Sequence, residues 1–517
     1  MDNNEFLTEW GLTLMVFLPL AGALLLMVIP KAQEQMIKVV ALGAALASGA
    51  VGVVVLANFN YDSSEELQFV VNRNWIEFIH ANYLVGIDGL SVPLIALTLL
   101  ITPLVMVYSW NHFPEPHNPK AFLILMLILA TGMLGTFVAQ DLILFFVFFE
   151  VVLLPMYFMI GVWGGEQRQY AAIKFFLYTL FGSALMIVSF LALFFVAGGD
   201  SFSMVDLAQG VADRNAAGNL TLLTQVLIFG GMFMGFGIKV PMFPFHTGLP
   251  DAHTQAPTAG SVILAAVLLK LGTYGFIRVA LFILPEAAVE WAPYIGALAV
   301  IGIIYGALGC LAQTDMKRLI AFSSVAHMGF VMLGIASLTT FGLNAAVFGM
   351  VAHGLITGML FFLAGSVKDR FHTLEIKRLG GLLLQAPKLG WILGFCIMAS
   401  LGLPGLAGFW GEFPAILSAY NPAPALSQGL FRTYMVIAAF GTVLAAGYLL
   451  WLFQRTAFGT PSEEFADTEI EDVRVSEWIA WVPLLALILV LGVFPNIIFH
   501  VTDPFLTVMG NTFAGLK

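Results

Sequence analysis

Apolar runs of about 17 to 25 residues, parted by short polar breaks, account for nearly all of this chain, and a run of that length is what a helix needs to cross a bilayer. The pattern predicts about fourteen transmembrane helices, near 12–29, 38–57, 89–109, 121–138, 142–163, 172–197, 221–240, 260–284, 293–313, 317–336, 342–366, 387–414, 432–453 and 478–499. Two of these spans are interrupted. The run that ends at Lys239 meets Pro241, Pro244 and Pro250, which remove backbone donors and end regular helix. The run from 387 passes Leu401, Gly402, Leu403, Pro404 and Gly405 before it reaches Glu412. Irregular backbone at membrane depth is tolerated only against protein or water, which places both charges beside a hydrated path.

The two broken spans lie five apart in order and each carries one charge, the sequence pointer to duplicated halves in a transporter. The expected fold is therefore an all-α polytopic membrane protein with two five-helix repeats, each with a broken helix. An odd number of helices per unit makes the second repeat inverted. The chain divides into N-terminal helices 1–3 over residues 1–110, a first repeat (helices 4–8) over 111–290, and a second (helices 9–13) over 291–458. A cytoplasmic loop and a C-terminal helix 14 fill 459–517.

Composition agrees: 60% of residues are hydrophobic and only 10% charged, against about 25% charged in soluble domains. The net charge of −10 is spread over loops and offers no basic patch for nucleic acid. Cys310 and Cys396 lie singly in apolar runs, which argues against a metal cluster or a disulfide framework. Acidic residues precede the first apolar run, so Met1, Asp2 and Glu5 lead into an uncleaved span rather than a signal peptide. With the termini outside, 14 Lys and Arg residues, from Lys31 to Arg474, fall in cytoplasmic loops, and only Arg73, Arg214, Arg432 and Lys517 fall outside. The acidic residues Asp62, Glu65, Glu66 and Asp206 also fall outside. The polar stretch from Gln454 to Glu477 reads as a solvated cytoplasmic loop.

What remains are ionisable groups inside spans, each costing about 2.5 to 3.5 kcal/mol even on the lenient insertion scale. Glu150 follows Asp141 by nine residues, roughly 14 Å along a helix, so its charge state is set by whatever partner it meets; the alternative is a carboxyl held neutral by a neighbouring hydroxyl. Lys239 stands at the first break. Lys270 lies about ten residues into the next span with Tyr274 one turn on, sharing its face. Arg278 is nearer the outer end and reads as snorkelling or pairing with an interfacial acid. His327 has Ser323 and Ser324 one turn before it, a polar stripe that suits water. His353 lies about eleven residues into its own span. A lone histidine often just bonds a carbonyl, but two at similar depth favour a relay.

Taken together, these residues resemble a known family. Phe148, Phe149 and Glu150 with Pro155, Lys239 with Val240 and Pro241, the run from Leu249 to Pro257, Leu268 to Lys270, the run from Asp315 to Gly329, and Ala352 to Gly354 resemble subunit M (chain 4) of respiratory complex I. That family is the middle antiporter-like membrane subunit of the proton-pumping NADH:quinone oxidoreductase. The resemblance runs from about Gly86 to Gly459. It implies that Glu150 and Lys239 are the family's glutamate and lysine pair, Lys270 its central lysine, His327 and His353 members of its hydrophilic axis, and Glu412 the acid facing the next subunit.

By the same resemblance the function is proton translocation coupled to electron transfer from NADH to quinone. This chain then serves as a subunit of the enzyme and carries no cofactor itself. NADH, FMN, iron-sulfur clusters and quinone belong to partner subunits, which accords with the lack of any GxGxxG motif here. The expected partners are neighbouring antiporter-like subunits and, through the complex, the peripheral NADH-oxidising arm. The expected location is a bacterial-type inner membrane. The alternative is a subunit of a multi-subunit Na+/H+ antiporter, which shares the fold and several of the charges.

Overall fold

The computed structural model describes residues 3–516; Met1, Asp2 and Lys517, used above to orient the chain, lie outside the described residues. The chain opens with α1 (Asn3–Val28) and α2 (Glu34–Ala57), then departs from the expected all-helical pattern. A two-stranded antiparallel hairpin, β1 (Gln68–Ile76) and β2 (Ala81–Ile87), leads into α3 (Val92–Tyr108). Arg73 of the hairpin pairs with Glu9 near the start of α1, so this hairpin marks the membrane face on which α1 begins.

The next helices cross back and forth from that reference. Lys120, at the start of α4 (Pro119–Val138), caps the end of α1 by donating to the carbonyls of Met27 and Ile29 at 2.9 and 2.7 Å, so α4 starts on the opposite face. Asp141 then caps α5 (Leu142–Trp163), accepting from the Ile143 and Leu144 amides at 2.9 and 3.1 Å, and also accepts from Asn82 of the hairpin. Burial raises the Asp141 pKa, and these three backbone donors oppose the rise. An irregular turn at Val152 interrupts α5 just before Pro155, whose missing N–H cannot bond residue 151. Next come α6 (Arg168–Ala197), a short surface helix α7 (Met204–Ala216), and α8 (Leu222–Lys239), which stops at the first break. The half-helix α9 (Gly248–Gln255) completes that crossing, and α10 (Thr258–Leu281) returns. α10 is wound as π-helix over Leu264–Leu268 and Phe276–Leu281.

The second half holds α11 (Pro285–Leu311), α12 (Met316–Ala336), α13 (Thr340–Phe371), the half-helices α14 (Pro387–Ser400) and α15 (Ala407–Ser418), and α16 (Gln428–Ala457). The turn between α14 and α15 needs left-handed backbone at Gly402 (φ 71°) and Gly405 (φ 95°), a conformation glycine adopts without strain. α10 and α13 are the central helices: the apolar window of each is 100% buried, against 39% for α6 and α16 at the periphery. Among the described residues, 12 helices are long and apolar enough to cross a membrane, and α3 and α14 are shorter apolar helices.

The C-terminal region differs from the expectation of one loop and one helix. After α17 (Val475–Val493) comes a further helix, α18 (Asn496–Gly515), packed beside the start of α13 and, through Phe505, against Arg278 and Phe282 at the end of α10. The preceding loop is not simply solvated. The guanidinium of Arg370, at the end of α13, grips Glu477 with two donors at 2.9 and 2.7 Å and the carbonyls of Glu471 and Asp472 at 2.6 and 2.7 Å. The Asp472 carboxylate accepts from the Lys388 and Leu389 amides at the start of α14. Much of the rest of the loop fits the solvated reading, with Glu463, Glu464 and residues 466–469 exposed and an exposed Arg378–Glu464 pair. Breaking a buried pair by removing one partner costs about 3 to 5 kcal/mol. Arg370→Ala should therefore sharply lower the amount of folded protein in membranes, while Arg370→Met with Glu477→Leu should restore much of it, as read by quantitative immunoblotting.

Candidate functional site

Six ionisable residues were singled out inside spans, and the fold arranges them unequally. Glu150 lies in the last turn before the irregularity of α5 and accepts a short hydrogen bond from Ser183 of α6. Lys239 is the last residue of α8, where the negative end of the helix dipole favours a cation. Its ammonium sits 4.5 Å from the centre of the Phe149 ring, a cation–π contact. Glu150 and Lys239 feel each other's charge, but they form none of the ion pairs found among the described residues. The pair expected from the sequence is thus a through-space pair, with a serine hydroxyl as the carboxyl's direct partner.

Lys270 is completely buried on α10. Its ammonium donates to Nδ1 of His353 on α13 at 2.7 Å and to the Ala265 carbonyl in the π-wound turn before it. Tyr274, expected to share the Lys270 face, instead directs its hydroxyl to the Phe137 carbonyl, to Ser91 and to Arg278. Arg278 does not snorkel. It is buried and paired with Asp88 at 2.5 Å.

Further along, His327 of α12 pairs through Nδ1 with the Glu412 carboxylate of α15 at 2.6 Å. Its Nε2 lies within hydrogen-bond reach of the hydroxyls of Ser400, at 3.1 Å, and Tyr448, at 3.3 Å. The serines expected to form its polar stripe, Ser323 and Ser324, bond back to the Ile320 carbonyl instead. The rings of His327 and His353 are 6.1 Å apart between centroids, and Nε2 of His353 is buried with no partner among the described residues. A small cavity lined by His327, His353, Thr357, Ser400 and Glu412 spans that gap. Close packing brings the acid in: Gly411 of α15 lies against Gly349 of α13, where a side chain on Gly411 would clash with the Gly349 backbone.

The arrangement comprises two direct contacts, Lys270–His353 and His327–Glu412, with a small cavity of mixed polar and apolar lining between them. A separate group, Glu150, Ser183 and Lys239, lies in the first half, and no direct contact joins Lys239 to Lys270 among the described residues. The sequence did not single out Ser183, Ser400, Tyr448 or Asp88. Serine and tyrosine are common enough in spans to carry no signal, while Asp88 falls just outside the predicted span that begins at residue 89. No group of three or more His, Cys, Asp or Glu residues that could hold a metal occurs among the described residues, and both cysteines are free and buried.

Half-helices that stop inside a polytopic bundle, one at a lysine and one leading to a glutamate, with a buried Lys–His line between them, define an antiporter-like membrane protein. Residues 139–439 match the family described as NADH:quinone oxidoreductase/Mrp antiporter, TM, and residues 63–137 match that described as NADH-ubiquinone oxidoreductase chain 4, amino terminus. The chain belongs to the subunit M, or chain 4, family of the NADH-quinone oxidoreductase, complex I. It is 42% identical over 503 residues to NADH-quinone oxidoreductase subunit M of Rhodobacter capsulatus, covering 95% of each chain. To the subunit M of Rickettsia bellii it is 40% identical, covering 87% of each. Its fold superposes on a chain of respiratory complex I from Thermus thermophilus with a TM-score of 0.85 at 28% identity, over 98% of this chain and 100% of that one. A chain of the Mrp complex from a Dietzia species shares the fold, with a TM-score of 0.81, but only 17% of the sequence, over 98% of this chain and 100% of that one.

Proposed function

We propose that this chain works as the antiporter-like membrane-arm subunit M of complex I, moving protons across the membrane while partner subunits pass electrons from NADH to quinone. The observation that carries the mechanism is the Lys270–His353 contact at 2.7 Å between the two fully buried central helices. A proton leaving Lys270 passes to His353, crosses the cavity to His327, and reaches Glu412. A change of charge at one site alters the proton affinity of the next. Glu150 and Lys239 act as an electrostatic switch on that line, because like charges repel more strongly out of water.

The hairpin face is the outer one in this reading, because Lys31, Lys120, Arg168, Arg318, Lys377 and Lys388 gather on the opposite face. Residues 111–290 and 291–458 form the inverted repeats: each break falls in the fourth span of its five, entered from opposite faces. The membrane is the bacterial inner membrane. FMN, iron-sulfur clusters and quinone belong to partner subunits, and Glu412 faces a neighbouring antiporter-like subunit.

The sodium/proton antiporter reading is the weaker one, since the sequence is far closer to the complex I subunits than to the Mrp chain. Deleting the gene should truncate membrane-arm assembly and lower membrane NADH:quinone activity, while leaving growth in alkaline sodium medium largely unchanged. Normal NADH oxidation with lost sodium tolerance would reverse the assignment.

A further inference from the structure

Lys270 can only drive protons toward His353 if the way toward the hairpin face is shut, and the residues beyond it on α10 form a closed end. Two turns on, Arg278 is 3% exposed and Asp88, at the start of α3, is 1% exposed. The guanidinium donates to Asp88 Oδ1 at 2.5 Å and, through Nε, to the Tyr274 hydroxyl at 3.2 Å. Phe505 of α18 covers it, with its ring centre 4.7 Å from the guanidinium carbon. Asp88 is itself fixed by the Leu90 and Ser91 amides, at 3.1 and 3.3 Å.

Hydrogen bonding leaves one way past Tyr274, and the fixed cation is what closes it. A proton wire needs each member to accept on one side and donate on the other. Tyr274 accepts from Arg278 and donates to the Phe137 carbonyl at 3.1 Å, which has no proton to pass on; its other polar neighbour, the Ser91 hydroxyl at 3.3 Å, leads to Asp88, whose Oδ1 is held by Arg278. Arginine is a donor with no acceptor and does not deprotonate in proteins. A fixed cation of this kind, set in a narrow polar gap, excludes protons and cations.

We propose that Arg278, held by Asp88 and capped by Phe505, is the seal that separates Lys270 from the hairpin face and leaves His353 as its outlet. The proposal rests on Lys270 being a proton station. It makes Arg278 a positioning residue for direction rather than a catalytic one.

The test removes the fixed cation without leaving a buried charge unpaired, in Arg278→Gln with Asp88→Asn and in Arg278→Met with Asp88→Asn. Asparagine keeps the cap on the Leu90 and Ser91 amides. In membrane vesicles bearing the assembled complex, either double variant should reduce quinone at close to the wild-type rate. Its protons pumped per NADH should fall about twofold or more, and the proton gradient should decay severalfold faster. Adding Lys270→Ala should return the decay to the wild-type rate, because the leak runs through that lysine. Asp88→Asn alone retains the cation and should stay tight.

A tight double variant with wild-type stoichiometry overturns the seal, as does a leak that persists without Lys270. Should neither double variant assemble, Arg278→Lys exchanges a group that never releases its proton for one that can. It should show the same Lys270-dependent leak in smaller measure, and a tight complex then counts against the proposal. The parent reading fails separately: Lys270→Ala alone with normal pumping refutes the proton station, whereas blocked pumping there beside a tight double variant refutes only the seal.

Discussion

Lys270→Arg should stop proton pumping nearly as completely as Lys270→Ala, whereas Lys239→Arg should keep a substantial part of it. The two lysines differ in setting. Lys270 is completely buried, and its ammonium donates to a histidine nitrogen that can itself take up a proton. In the proposed function this is a proton-exchanging station. Arginine holds the charge but does not release its proton, so it can fill the site without serving it. Losing a positioned proton-transfer group typically costs about 10²- to 10⁴-fold in that step, enough to take pumping below detection. Lys239 sits at a helix end over the Phe149 ring, where a fixed cation is well accommodated and what Glu150 senses is charge alone. Reconstituted vesicles normalised to assembled complex give the comparison. Good pumping by Lys270→Arg together with failure of Lys239→Arg would mean that the roles are reversed.

The positions of these residues were partly visible in the sequence because a lysine or glutamate inside an apolar run is conspicuous, and proline or glycine beside it marks a broken helix. Lys239 before Pro241, and Glu412 after Pro404 and Gly405, are of this kind, and both breaks occur where the pattern placed them. Contacts across helices were not visible. Lys270 and His353 are 83 residues apart in sequence, and His327 and Glu412 are 85 apart, so no local spacing relates them. Tyr274 illustrates the hazard of local reasoning: helical spacing put it on the Lys270 face, and tertiary partners on α3 and α4 claimed its hydroxyl.

The hairpin was missed because β1 buries only one of its nine residues and shows no clean alternation. α18 was missed because Asn496, His500 and Asp503 cut what would otherwise be an apolar run. These polar residues suit a helix at the membrane face, where Asp503 accepts from Asn344 of α13. The polar loop before α17 gave no hint that its backbone carbonyls would hold Arg370.

Glu150→Gln should leave the complex assembled and remove most of its coupled quinone reduction and pumping. The substitution preserves shape, and the amide oxygen can still accept from Ser183, so packing between α5 and α6 has no reason to change. What disappears is the carboxyl's negative charge, which acts on Lys239 through space. Lys239 is then a buried cation with only a ring face beside it, no longer switched by a carboxyl that gains and loses a proton, and its influence on Lys270 becomes constant. The competing account is a carboxyl held by the serine hydroxyl for packing alone. Ser183→Ala separates the two: it removes the hydroxyl and keeps the charge, so a switch should survive it with most of its pumping intact, while a packing role should suffer at least as much as in Glu150→Gln. Both variants are measured as protons pumped and quinone reduced per assembled complex. Near-normal pumping by Glu150→Gln at normal subunit levels would remove Glu150 from the mechanism and leave Lys239 without a partner to answer.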